Sequence, residues 1–320
     1  MKNFISYFLG AFFIIGCQNL EKESADQHKA LIETNGNEST ITSFDSWFDD
    51  PQPLASAHRG GPYPGFPENA IETFENIAEK VPSVVIECDI AMTRDSVLVL
   101  MHDQTLDRTT TGSGNISELS FSELSSLKLV DNDGQSTSFR IPTLDEVLSW
   151  GKGKVLFTLD VKRGVPFENV LSAVDKHDAT SYAAIITYRM QDAVLVHSLN
   201  PEVIISVSAS DNGALEQIIN SQIPSTKLLG FVGTREPNQA HYQKLQELGI
   251  KTILGTLGNL DKSAVAKGDD AIYINYINNG ANIIATDRPL EVAKGFEHKI
   301  ELADIKSRCK ITIVDNLFLF

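Results

Sequence analysis

The sequence predicts an α/β fold, a TIM (β/α)8 barrel with a small insertion, and three observations carry that expectation. Short apolar runs rich in β-branched residues recur along the chain, and stretches with helical spacing separate nearly all of them. This is the pattern of parallel strands joined by right-handed crossovers. About eight such runs favour closure into a barrel. No G-x-G-x-x-G or Walker-type loop opens any of the helical stretches, which makes an open doubly wound sheet the lesser alternative.

Taken in order, the chain starts with Met1-Lys2-Asn3 and an apolar run, Phe4–Gly16. Its 13 residues fall short of the roughly 20 that a membrane-spanning helix needs. The run ends Ile14-Ile15-Gly16-Cys17, which resembles a bacterial lipobox. Residues 1–16 are therefore read as a lipoprotein signal peptide and Cys17 as a lipidated anchor in the cell envelope, with Gln18 pointing to the outer membrane. Residues 17–46 are polar and unpatterned and read as a flexible tether. From 47 to 320 the length fits one barrel domain.

Within that domain, Leu54–Ala57, Val84–Ile90 and the helical stretch Asn69–Lys80 form one βαβ unit. Val97–Met101 continues as a strand that closes at His102. Later strands are expected at Lys154–Val161, Ala183–Thr187, Val203–Val207, Lys227–Val232, Lys251–Leu254 and Asn282–Ala285. The stretch 104–140, rich in Thr, Ser, Gly and Asn, has only a short helical segment at Ser120–Leu127. It reads as an insertion that walls a site.

A net charge of −15 argues against nucleic acid or an anionic membrane surface as a partner. The cysteines, Cys17, Cys88 and Cys309, are too scattered for a disulfide framework or a structural zinc site.

The chemistry lies at strand ends. Glu87 and Asp89 are two apart, so both point to one side of their strand while Cys88 points to the other. Converging carboxylates are costly without a cation, and a hard divalent metal, Mg2+ or Ca2+, suits oxygen ligands. Asp160 and Lys162 repeat the spacing. His58 and His102 each close a strand, outside any zinc-hydrolase motif, and with Arg59 and Lys162 they suit phosphoryl chemistry.

His58-Arg59-Gly60-Gly61, Pro67-Glu68-Asn69-Ala70, Glu87-Cys88-Asp89, Met101-His102-Asp103 and Thr105-Leu106-Asp107-Arg108-Thr109-Thr110 together resemble the glycerophosphodiester phosphodiesterase family. Leu159-Asp160-Val161-Lys162 and Ala285-Thr286-Asp287-Arg288-Pro289 extend the resemblance to residue 289. It implies a TIM barrel that cleaves a small-molecule glycerophosphodiester, with a divalent metal, into sn-glycerol 3-phosphate and an alcohol. It further implies Glu87, Asp89 and Asp160 as metal ligands, His58 and His102 as the acid/base pair, and Arg59 and Lys162 as phosphate contacts. Glu68, Asn69 and Asp103 support them. Two departures stand out: Asp160 where many relatives have Glu, and Leu254–Asn259 without the aromatic that many relatives pack on the glycerol. Phosphodiester cleavage on a phosphoinositide- or sphingolipid-type head group, and capture of glycerophosphodiesters without cleavage, are the other readings.

Overall fold

The computed structural model describes residues 40–296, a compact unit bounded by Thr40 and Phe296. The leader, Cys17 and the tether up to residue 39 lie outside the described residues. So do residues 297–320, which the sequence assigns to the barrel.

The first helix, α1 (Phe44–Asp49), starts inside the stretch read as tether. Phe44 and Trp47, three apart and so on one helix face, are fully buried. The Phe44 N–H donates to the Ser181 carbonyl at 2.8 Å and the Trp47 indole donates to the Gln52 carbonyl at 2.7 Å. Burying two aromatic rings contributes about 1.5–3 kcal/mol each, enough to order a six-residue helix that would not form alone. The helix is too short to give a periodic signal in a polar tract, so the tether boundary at 46 moves toward the N-terminus.

Nine strands follow: β1 (Leu54–Ala57), β2 (Val85–Met92), β3 (Leu98–Leu100), β4 (Leu156–Val161), β5 (Ala183–Ile186), β6 (Ile205–Ser208), β7 (Leu228–Phe231), β8 (Lys251–Gly255) and β9 (Ile283–Thr286). Eight of them pair in parallel in the order β1-β2-β4-β5-β6-β7-β8-β9, and β9 pairs back to β1 to close the barrel. The strand expected to end at His102 is β3, which stops at Leu100 and is no barrel stave. It pairs antiparallel on the edge of β2, with Ile90 opposite Leu100 and Met92 opposite Leu98. The link Thr93–Val97 permits only a hairpin, since a parallel partner needs a crossover of a dozen or more residues.

The crossover helices are α2 (Ile71–Ala78), α4 (Leu144–Gly151), α5 (Phe167–Lys176), α6 (Met190–Leu199), α7 (Asn212–Ser221) and α8 (Gln239–Glu247), with α9 (Asn259–Lys267) and α10 (Ile272–Asn279) together joining β8 to β9. Local chemistry fixes their starts. At α4, Thr143 Oγ1 accepts from the Glu146 N–H at 3.2 Å, and Glu146 Oε2 accepts from the Thr143 N–H at 2.9 Å. The outward residues of the strands, among them Ile86, Cys88, Ile90, Phe157 and Leu159, are buried under these helices.

Residues 104–140 form an excursion as expected, holding one short helix, α3 (Phe121–Leu124), begun by a capping box at Ser120. The excursion has its own core, in which Leu106, Ile116, Leu124 and Leu129 pack with Met101 and Ile141. Asp131, buried within it, accepts from the Gly65 N–H at 2.8 Å and so pins the excursion to the loop after β1.

Candidate active site

Side-chain alternation and the pairing register decide what faces the barrel mouth. Asp89 lies opposite Asp160, and Asp160 opposite Ile186, so the inward set at the strand ends includes Glu87, Asp89, Asp160 and, two residues beyond Ile186, Tyr188. By the same rule Ser56 pairs with Ala285, which sends His58 and Asp287 inward. Ser208 pairs with Phe231, and Gly255 with Ala285.

The turn after β1 is built for this purpose. Arg59, Gly60 and Gly61 have φ of 55°, 82° and 70°, and a Cβ on Gly60 would lie 2.2 Å from the Phe74 ring, so only glycine fits there. Arg59 in the left-handed region costs about 1–3 kcal/mol, offset by the contacts that hold it. Its N–H donates to Glu87 Oε2 at 2.7 Å, and its carbonyl accepts from the Asn69 N–H at 3.0 Å. Asn69, also left-handed at φ 60°, grips Asp89 from two sides: its Nδ2 donates to Asp89 Oδ2 at 2.7 Å, and its Oδ1 accepts from the Asp89 N–H at 3.0 Å. Asn69 thus locks this loop to β2.

One carboxylate oxygen from each of Glu87, Asp89 and Asp160 lies within 4.8 Å of the others. Lys162 Nζ sits 2.6 Å from Asp89 Oδ1 and 2.5 Å from Asp160 Oδ2. The Arg59 guanidinium adds a second cation, with Nε 4.0 Å from Asp89 Oδ2. Burial and then the charge of Asp89 push the Glu87 carboxyl up to about 8. Burial also opposes charge on Asp89, but Lys162 and Asn69 outweigh it and hold that carboxyl below its ordinary value. Asp160 Oδ1 is buried with no hydrogen-bond partner, a state that costs about 1–3 kcal/mol. Crowding that disfavours charge on Glu87, an orphaned oxygen and an all-oxygen donor set fit a hard divalent cation. The shorter Asp160 arm still reaches the cluster.

The two histidines are matched. His58 Nδ1 lies 2.7 Å from Asp287 Oδ1, and His102 Nδ1 lies 2.7 Å from Asp103 Oδ1. The hydrogen bond from His58 holds the Asp287 carboxyl below its ordinary value, and those from Arg108 do the same at Asp103. Ionised carboxylates only accept, so each Nδ1 carries a proton, and the Nε2 of each ring is left for another partner. Burial pulls the His58 pKa down, but the Asp287 hydrogen bond and the charges of Glu87 and Asp287 raise it above the ordinary value.

The structure brings every expected residue to one mouth. The Arg59 guanidinium is engaged by Glu68, with Nη1 at 3.0 Å from Oε2, while its Nε is buried without a hydrogen bond, 4.0 Å from Asp89 Oδ2. The roles of Asp287 and Arg108 are not legible in their own motifs, because the partners of both are set by tertiary folding. Sequence reasoning also missed the aromatic at the far rim. A Cβ on Gly255 would lie 3.0 Å from Phe231 Cζ, so the Phe231 ring of β7 covers the place where a side chain at 255 would project.

Comparison with known proteins places this site in a family. A model described as the glycerophosphoryl diester phosphodiesterase family matches residues 58–267, which spans the barrel from His58 into α9. The chain belongs to the glycerophosphoryl diester phosphodiesterase family. It is 31% identical to glycerophosphodiester phosphodiesterase 1 of Mus musculus over 204 residues, 62% of this chain, and 32% identical to a glycerophosphodiester phosphodiesterase of Caldanaerobacter subterraneus over 154 residues, 46% of this chain. The matched stretches span 57% and 58% of those relatives. A glycerophosphoryl diester phosphodiesterase crystal structure from Parabacteroides distasonis superposes with a TM-score of 0.74 at 32% identity, covering 81% of this chain and 93% of that one. The barrel expected from periodicity is thus the family's fold. Among the described residues no helix is long and apolar enough to cross a membrane.

Proposed function

We propose that this chain hydrolyses glycerophosphodiesters to sn-glycerol 3-phosphate and an alcohol, using a divalent cation and the His58–His102 pair. The observation that carries this reading is the pairing of two imidazoles, each with Nδ1 tied to a carboxylate, beside a three-carboxylate cluster. Glu87, Asp89 and Asp160 would hold the cation, Mg2+ or Ca2+, which would supply offsetting charge for the phosphoryl oxygens. Arg59 and Lys162 add cationic donors for those oxygens, and the preorganised turn around Arg59 spares their reorganisation during reaction. The Nε2 of one neutral imidazole takes the proton of a glycerol hydroxyl as it attacks phosphorus, and the other ring, entering as an imidazolium with a proton on both nitrogens, gives its Nε2 proton to the departing alcohol oxygen. The cyclic phosphate so formed opens when water attacks and the two histidines exchange roles.

The deciding assay follows release of sn-glycerol 3-phosphate from a glycerophosphodiester with and without EDTA. Release that EDTA abolishes and added Mg2+ or Ca2+ restores supports the reading; tight binding without release defeats it. An envelope location through lipidated Cys17 belongs to the same proposal. Cys17→Ser is expected to leave the membrane fraction with kcat unchanged.

A further inference from the structure

We infer that Arg108 and Glu68 form a positioning frame that fixes His102 through Asp103 and joins it to Arg59; this rests on the proposed acid/base role of His102. Asp103 is on a partly exposed loop, and its side chain is 29% accessible, so its grip on His102 needs support from behind. Arg108 supplies it: Nε donates to Asp103 Oδ2 at 2.6 Å and Nη2 to Oδ1 at 3.1 Å, the same oxygen that faces His102 Nδ1. The bidentate contact stops the carboxylate from rotating away from the imidazole.

The other edge of that guanidinium is held in turn. Arg108 Nη1 and Nη2 donate to Glu68 Oε2 and Oε1 at 3.0 and 2.7 Å, and Glu68 is only 4% exposed. A carboxylate buried to that degree is strongly disfavoured unless paired. Glu68 is paired twice, because Arg59 Nη1 donates to both its oxygens at 3.2 and 3.0 Å. Two guanidiniums and two carboxylates therefore form a neutral chain from His102 to Arg59, whose own N–H meets Glu87. The opposite histidine needs no such frame. Its partner Asp287 has its N–H held by the buried Asp261 at 2.9 Å, and its Oδ2 accepts from the Gly258 N–H at 3.4 Å. A lysine at 108 would be a point charge unable to serve four oxygens in a plane.

The test compares Arg108→Gln, Arg108→Lys, Asp103→Asn, the Arg108→Gln/Asp103→Asn double variant and Glu68→Gln. Arg108→Gln is expected to lower kcat by about 10- to 100-fold with KM and Mg2+ affinity nearly unchanged, and Arg108→Lys to recover part of the loss. The double variant should be no slower than Asp103→Asn alone. Glu68→Gln, which frees Arg59 as well, should raise KM in addition. Independent losses that multiply in the double variant, or an Arg108→Gln defect confined to KM, would overturn the frame. A second readout is the low-field proton resonance of the His102 Nδ1–H, expected in the unmodified protein and absent in Arg108→Gln; its persistence overturns the inference. If the unmodified protein releases no sn-glycerol 3-phosphate, the proposed activity fails while the proton resonance still decides the frame.

Discussion

The two halves of the barrel mouth are built from the same eight-stranded sheet and carry opposite kinds of side chain. The arc β9-β1-β2-β4 presents Asp287, His58, Glu87, Asp89, Asp160 and Lys162, nearly all tied to one another by hydrogen bonds or ion pairs. The arc β5-β6-β7-β8 presents Tyr188, Ser208, Phe231 and Gly255 at the equivalent inward positions, none of them charged. Beside Tyr188 a cavity of about 250 Å3 is lined by Met190, Ser208, Ser210 and Gln217, with Asp211 as its one charged side chain. On the proposed reaction the difference is a division of labour: one arc holds the charges that phosphoryl transfer needs, and the other offers less charged surface for the organic parts of the substrate. Changes in the first arc should then strike kcat, and changes in the second KM.

The largest expected effect is at the acids. Glu87→Gln or Asp89→Asn should lower kcat by about 10³-fold and abolish the rise in Tm that Mg2+ is expected to give the unmodified protein. Differential scanning fluorimetry across a Mg2+ series reads the second part without any substrate. An Asp89→Asn protein that keeps the metal-dependent rise would break the assignment of the charged arc.

Next comes the His58–Asp287 pair, where Asp287→Asn should cost about 10²-fold in kcat. The sign of the accompanying pKa change is fixed by the causes present. Burial opposes protonation of His58 and remains in the variant, as does the Glu87 charge, while the hydrogen bond and charge of Asp287 that help to raise the pKa are lost. The His58 pKa must therefore fall, and NMR titration of the imidazole in both proteins measures it. An unchanged value would mean that Asp287 orients His58 without setting its charge. A substrate with an activated leaving group separates the two histidines, since it rescues only the variant that lacks the general acid.

This contrast between arcs also marks what was legible in the sequence. Glu87 and Asp89 could be placed on one side of a strand because strand alternation is local, and Asp160 with Lys162 followed by the same rule. The role of Asp287 could not be read that way, because its partner His58 lies 229 residues away and meets it only through the closure of β9 on β1. Arg108 and Glu68 are 40 residues apart and meet because the excursion packs over the turn after β1. The orientation of β3 was hidden for a different reason: the strand itself was plain, and only the shortness of its link to β2 decided that it pairs antiparallel and leaves His102 beyond its end. On the uncharged arc, Phe231 was invisible because nothing in its own neighbourhood shows that its ring fills the space above Gly255.

The smallest effect is expected on that arc, and it gives the sharpest test of the division. Phe231→Ala should raise KM for a glycerophosphodiester by about 10-fold, the value of one well-packed apolar contact of about 1–1.5 kcal/mol, and leave kcat within a factor of about two. Gly255→Trp alone should be destabilising, because a Cβ there already lies 3.0 and 3.1 Å from Phe231 Cζ and Cε2 and 3.2 Å from Thr234 Cγ2, and the larger ring has nowhere to go. Combining Gly255→Trp with Phe231→Ala exchanges the strand that carries the aromatic while keeping one ring in the same space. The double variant should recover Tm relative to Gly255→Trp and recover KM relative to Phe231→Ala, so the two changes must be strongly non-additive. If KM in the double variant stays as high as in Phe231→Ala although Tm recovers, the ring serves packing alone, and the uncharged arc does not hold the substrate through it.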